Sequence, residues 1–218
     1  MRDIARAVGR YSICLVAAVL AGLASGCSTN GHPAAIAPSP SSSTSTQTIR
    51  QTDDAGLRLP FDTDFPNRWS INNDGSPYEP CTQVPTEVLR NFGLNPSSVS
   101  DAAASDFQTA RGCEWTFADD NLSAISQFVG DIVHPEDGLA GHKALNSSGT
   151  EWFSDLVVQA RKVLVGSIAP SDCAVYVRSG DAVVVTSVIE FGGDAPSTAE
   201  ICQKAADFLE STISRIPE

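Results

Sequence analysis

The chain has 218 residues, 42% hydrophobic and 18% charged, with a formal net charge of −12 at pH 7. That is enough apolar material for one packed core, which excludes wholesale disorder, and too little chain for a large multidomain assembly. The acidic balance repels phosphate backbones, so nucleic acid is not an expected partner.

The N-terminus reads as an address. Arg2, Arg6 and Arg10 form a basic start, and 13–23 then runs apolar for 11 residues. This run is too short to span a bilayer stably and suits a signal-peptide core. It ends in Leu23-Ala24-Ser25-Gly26-Cys27. Small residues before a cysteine resemble a bacterial lipobox, in which the peptide is cut before the Cys and its thiol carries diacylglycerol. Ala24 stands where Leu is usual, with Leu23 one place further out. The expectation is a lipoprotein signal peptide over 1–26 and a lipidated, palmitate-bearing Cys27. Two or more acyl chains anchor a protein stably without a spanning helix. The membrane, reached through that anchor, is thus an expected partner, and the expected location is its outer face. Removing 1–26 takes away three Arg and one Asp and leaves a net charge of −14.

From Ser28 to Pro60 the composition shifts. Pro38-Ser39-Pro40 leads into a Ser/Thr run over 41–48, and large apolar side chains are almost absent. Such a segment buries too little surface to offset its ordering entropy and reads as a flexible stalk. Residues 61–218 are the expected folded domain, with one core.

Phe61, Phe65, Trp69 and Tyr78 stud an irregular lead-in rich in Pro, Asn and Asp. These rings either lie over the core as a lid or line a groove. Pro66 interrupts any helix that would present Phe61, Phe65 and Trp69 as one outward stripe, which favours the lid. A short helix opens at Pro85-Thr86-Glu87 and closes at Gly93. Cys113, Trp115 and Phe117 alternate with polar neighbours as a strand. Asp119-Asp120-Asn121 predicts a turn and 122–129 a return strand. Residues 134–149 are loop-rich, with one helical turn around 139–145. Four strands follow over 155–159, 163–168, 173–178 and 182–189, the last two joined by a tight hairpin at Ser179-Gly180-Asp181. Ser197 and Glu200 form a capping box, and Cys202, Ala205, Leu209, Ile213 and Ile216 share a helical face beyond it. The pattern predicts an α+β single domain: an antiparallel sheet with helices packed on it.

Of six cysteines, Cys14 lies in the signal and Cys27 at the lipobox. Cys81, Cys113, Cys173 and Cys202 remain, an even number in an exported domain, which implies two disulfides with three possible connectivities. Cys81–Cys113 and Cys173–Cys202 are preferred, because each pair joins neighbouring elements. In the chain-entropy model each bridge is worth about 3–4 kcal/mol.

Pro80-Cys81, the strand Gly112-Cys113-Glu114-Trp115, a strand Cys173 before a hairpin, and Glu200-Ile201-Cys202-Gln203-Lys204-Ala205 opening the last helix follow the lipobox and stalk in order. This arrangement resembles the small actinobacterial, mycobacterial-type envelope lipoproteins of the LprB/LprC kind, a domain-of-unknown-function family. The resemblance implies an envelope location and no reaction.

No G-x-S-x-G, P-loop, G-x-G-x-x-G or H-E-x-x-H motif occurs. His32 falls in the stalk. His134 and His142 flank Pro135-Glu136-Asp137-Gly138 in what reads as a solvated loop rather than a metal site. Ser167 and Ser171 beside Asp172 read as turn residues. No catalytic residue, metal or cofactor is therefore expected. The leading functional reading is a non-enzymatic binding domain for an envelope protein or an apolar small molecule. The alternatives are a cell-wall hydrolase, which needs His134 or His142 beside a carboxylate and a nucleophile, and a purely structural surface protein.

Overall fold

The structure, a computed structural model, describes residues 48–102, 105–192 and 196–218. The expected signal peptide, Cys14, Cys27, His32 and the stalk as far as Gln47 lie outside the described residues.

Eight antiparallel strands and four α-helices make up the described fold. The strands are β1 (Ser100–Asp101), β2 (Ala110–Thr116), β3 (Ala124–Asp131), β4 (Glu151–Trp152), β5 (Leu156–Val158), β6 (Arg161–Ser167), β7 (Asp172–Ser179) and β8 (Ala182–Ile189). The helices are α1 (Pro80–Gln83), α2 (Thr86–Asn91), α3 (Gly138–Leu145) and α4 (Thr198–Thr212). One sheet runs β1-β2-β3-β8-β7-β6-β4, with β5 also pairing on β6. The chain builds β1 to β3 as a meander, crosses to the far edge, and returns until β8 pairs with β3. The antiparallel α+β class is as the hydrophobic patterning predicts.

Local chemistry explains the boundaries. β3 starts two residues later than alternation suggests, because the Asp120 side chain accepts from the Leu122 amide at 2.8 Å and from the Ser123 hydroxyl, prolonging the turn. The β7–β8 hairpin closes with Ser179 opposite Ala182. Gly180 sits at φ +59, where a Cβ would stand 2.6 Å from the Gly75 carbonyl oxygen. Only glycine fits both the turn and the lead-in crossing over it. The β5–β6 turn puts Gln159 and Ala160 at φ +46 and +68, a hairpin without the usual Asn or Gly. α4 opens with the full capping box: the Glu200 amide is bonded to the Ser197 side chain, and the Glu200 carboxylate accepts from the Ser197 amide at 2.8 Å.

The sheet has two unequal faces. On one, Val163 and Val165 of β6, Cys173, Val175 and Val177 of β7, and Val184 and Val188 of β8 pack with Ile201, Ala205, Phe208 and Leu209 of α4. Ile125 and Val129 of β3 and Trp115 of β2 extend this core to α2. The opposite face carries a smaller cluster of Leu164, Ala174, Val183 and Val185, covered in part by Leu139 of α3 and by Ile132.

Both disulfides take the sequential pairing. Cys81–Cys113 ties α1 to β2, and Cys173–Cys202 ties β7 to α4, with Cα separations of 5.2 and 5.0 Å. Residues 48–60, assigned to the stalk by composition, join the packed region: Leu59 and Asp53 are buried, and Thr52 bridges to Arg58.

Candidate functional site

The less covered face of the sheet opens into a cleft of about 650 Å³. Its floor alternates through three neighbouring strands: Phe128 of β3, Ala174 and Tyr176 of β7, and Val183 and Val185 of β8. Side chains on these strands point to opposite faces in turn, so the residues between them build the main core while these face the cleft. α3 supplies one wall with His142 and Leu145. Val133 and Ile168 stand on the rim 73% and 72% exposed. Thr109, Asp131, Asn146, Thr150 and Ser187 add a sparse polar lining.

The two carboxylates here are committed to backbone and hydroxyl donors. The His142 ring lies 5.4 Å from the Tyr176 ring. Burial pushes the imidazole below its ordinary range, favouring its neutral form. Burial, and then the charge of Asp172, pushes the Tyr176 phenol up. Asp172 closes the β6–β7 turn, accepting from the Ile168 and Ala169 amides at 3.0 and 2.5 Å and from the Ser167 hydroxyl at 3.1 Å. Burial raises the Asp131 carboxyl. The Gly75 amide, donating at 2.7 Å, opposes this, and the neighbouring Asp74 raises it further.

His134 does not join His142 in a shared site: its Nδ1 lies 3.6 Å from Glu136 Oε1 with both side chains exposed. Among the described residues, no group of three or more His, Cys, Asp or Glu side chains gathers where it could hold a metal ion. No described helix is long and apolar enough to cross a membrane.

The four lead-in aromatics part company. Tyr78 is wholly buried in the core, and its hydroxyl donates to Gln127 Oε1 at 2.6 Å. Gln127 Nε2 in turn donates to Thr186 and Thr212 at 2.9 and 3.0 Å, linking lead-in, sheet and α4 through one satisfied buried network. Phe61 is half-buried and packs against the same core. Phe65 is half-buried. Trp69, also half-buried, lies under two guanidiniums, Arg50 at 4.3 Å and Arg68 at 4.8 Å from the ring centroid. It lines a separate hollow of about 490 Å³ with Ile71 and Phe107. The lid description suits Tyr78 and Phe61, whereas Trp69 stands at a groove edge.

A buried ion cluster holds this lead-in. Arg68 and Arg111 are inaccessible, as is Glu79 between them. Arg68 donates to Glu79 at 2.8 and 3.3 Å, to Asp101 at 2.9 Å and to the Gly112 carbonyl at 3.3 Å. Arg111 donates to Glu79 at 3.3 Å and to the carbonyls of Asn73, Ser76 and Tyr78. Burial works against the Arg68 charge, but Glu79 and Asp101 outweigh it and hold its pKa above the ordinary value. For Arg111 burial dominates and lowers the pKa, with Glu79 offsetting only part.

The sequence reading missed both the cleft and the ion cluster. Continuous apolar runs in β7 and β8, Cys173–Val177 and Ala182–Val185, are a signal for the cleft. They imply two apolar faces, whereas only one long helix follows to cover them. No comparable pattern marks the cluster, because ion-pair partners 11 to 33 positions apart in sequence share no periodicity.

The fold and its bridges define a disulfide-stapled α+β domain with one sheet face sealed by a helix and the other open over an apolar cleft. A family model described as "Protein of unknown function (DUF3558)" matches residues 22–215, and the chain belongs to that family. No curated protein matches the chain.

Proposed function

We propose that this is a lipid-anchored protein of the cell envelope, of the small actinobacterial lipoprotein kind, whose domain binds an apolar small molecule rather than catalysing a reaction. The cleft over β3, β7 and β8 carries the binding reading. Its volume of about 650 Å³ lies within the range of small-molecule sites, and an aromatic and aliphatic floor with few polar groups is their usual lining. Exposed Val133, Leu145 and Ile168 around the mouth extend the apolar surface outward. The lipobox-like sequence ending at Cys27 supports the anchor.

A fluorescent long-chain fatty-acid analogue tests the cleft. The full-length protein is expected to bind it, and Ser187→Phe, which puts a ring into the cleft, to weaken binding by about tenfold or more, equivalent to about 1.4 kcal/mol. Absence of binding, or equal binding by the variant, would overturn the reading. Cys27→Ala tests the anchor: the protein should be released from membranes or persist as uncleaved precursor. Unchanged mass and membrane partitioning would count against lipidation.

A further inference from the structure

We infer that the surface formed by Trp69, Ile71 and Phe107 rests on the lipid bilayer and sets how the domain faces the membrane. The inference rests on the proposed anchor at Cys27 for its direction, while its test reads the patch itself.

Ile71 is 85% exposed and Phe107 66%, and both edge the hollow that Trp69 lines. Single exposed apolar residues need no explanation, but two large ones beside the half-buried ring of Trp69, around one hollow, form a patch. Phe107 is also held at φ +51, a conformation that bulky residues rarely adopt. Strain of this kind persists only where the surroundings enforce it, and it concentrates at functional surfaces. The enforcing contacts are present: the Ser70 hydroxyl and the Asn73 side-chain amide both donate to the Gln108 carbonyl at 2.8 Å. These bonds lock the loop of Ile71 against the residue after Phe107, so the patch is preformed.

Its position supplies the occupant. The described chain starts at Thr48, and Arg50, two residues later, sets its guanidinium over the Trp69 ring. Thr48, where the described chain begins, is therefore two residues from a side chain that touches this patch. Only 21 residue steps separate Cys27 from Thr48. Even fully extended, at about 3.3–3.6 Å per residue, they reach no more than roughly 75 Å. A chain attached beside an apolar patch biases that side of the domain toward the membrane. Trp and Phe side chains favour the headgroup boundary, where apolar surface enters by about 5–10 Å. The acidic chain is repelled by anionic lipid, so the contact is apolar and strongest on zwitterionic membranes.

The test reconstitutes the full-length, membrane-isolated protein into phosphatidylcholine vesicles with brominated acyl chains and reads tryptophan emission. Trp115 is buried and Trp152 packs on Tyr176 at the cleft, so Trp69 is the expected reporter. Emission should be quenched, and Trp69→Phe should remove the quenched component. The double variant Ile71→Ser, Phe107→Ser should stay on the vesicles yet lose the same component. Vesicle-bound protein unaffected by bromine, or a double variant quenched as strongly as the parent, would overturn the inference. Protein that lacks acyl mass at Cys27 and floats free would refute the anchor instead. The same brominated vesicles added to that free protein would then decide the patch by the presence or absence of Trp69 quenching.

Discussion

Glu79→Gln is expected to destabilise the domain by about 3–5 kcal/mol, the usual consequence of removing one partner from a buried ion pair. The neutral side chain would leave Arg68 and Arg111 buried with Asp101 as the remaining countercharge in the cluster. The loss falls on architecture as well as charge. Arg111 gathers the carbonyls of Asn73, Ser76 and Tyr78, and Arg68 reaches across to the Gly112 carbonyl of β2. Together they fasten the lead-in over the sheet beside Cys81–Cys113. Urea unfolding gives the measurement, and a variant within about 1 kcal/mol of the parent would refute the role assigned to Glu79. Adding Arg111→Met to Glu79→Gln restores the charge balance and should recover part of the loss. Coupling of about 0.5–3 kcal/mol is expected for groups in one network.

Phe208→Ala is expected to cost a similar amount, about 3–5 kcal/mol, through a cavity at the centre of the main core. Phe208 of α4 is inaccessible and meets Phe92 edge-on at 5.1 Å and Trp115 at 6.4 Å between ring centroids. It thereby joins α4 to the end of α2 and to β2. Because these neighbours are held in the chain by strand pairing and the two disulfides, the site cannot collapse to refill the space. Thermal or urea unfolding should place Phe208→Ala far below Phe191→Ala, since Phe191 is 54% exposed and surface truncations usually shift stability by no more than about 0.5 kcal/mol. Equal losses in the two variants would mean that α4 is not the main cover of the sheet.

Local chemistry was legible wherever one short stretch carried the whole signal. The capping box at Ser197 and Glu200 and the stripe beyond it predicted α4, because both the orphan amides and the apolar face belong to that segment alone. The β7–β8 hairpin followed from Gly180 between two β-branched runs. The β5–β6 hairpin was harder to read, because Gln159 and Ala160 hold positive φ without any residue type that advertises it. α1 was missed for a related reason: four residues between two prolines show no period, and the helix depends on the Glu79 side chain capping the Cys81 amide.

The amino-acid sequence by itself determined the fold class, the four elements from β6 to α4 and the presence of two disulfides, with a preference for their pairing that the tertiary structure bears out. The elements follow from side-chain periodicity and turn chemistry, which are local properties, and the disulfide count from an even number of cysteines in the domain. The tertiary structure decided which face of the sheet α4 would seal and which would stay open as a cleft. It also decided that Arg68, Glu79, Asp101 and Arg111 would meet in the interior, and that Trp69 would come to the surface under Arg50. Each of these depends on segments far apart in the chain meeting in space: burial makes a distant charge an obligatory partner, and exposure is whatever the last packed element leaves uncovered.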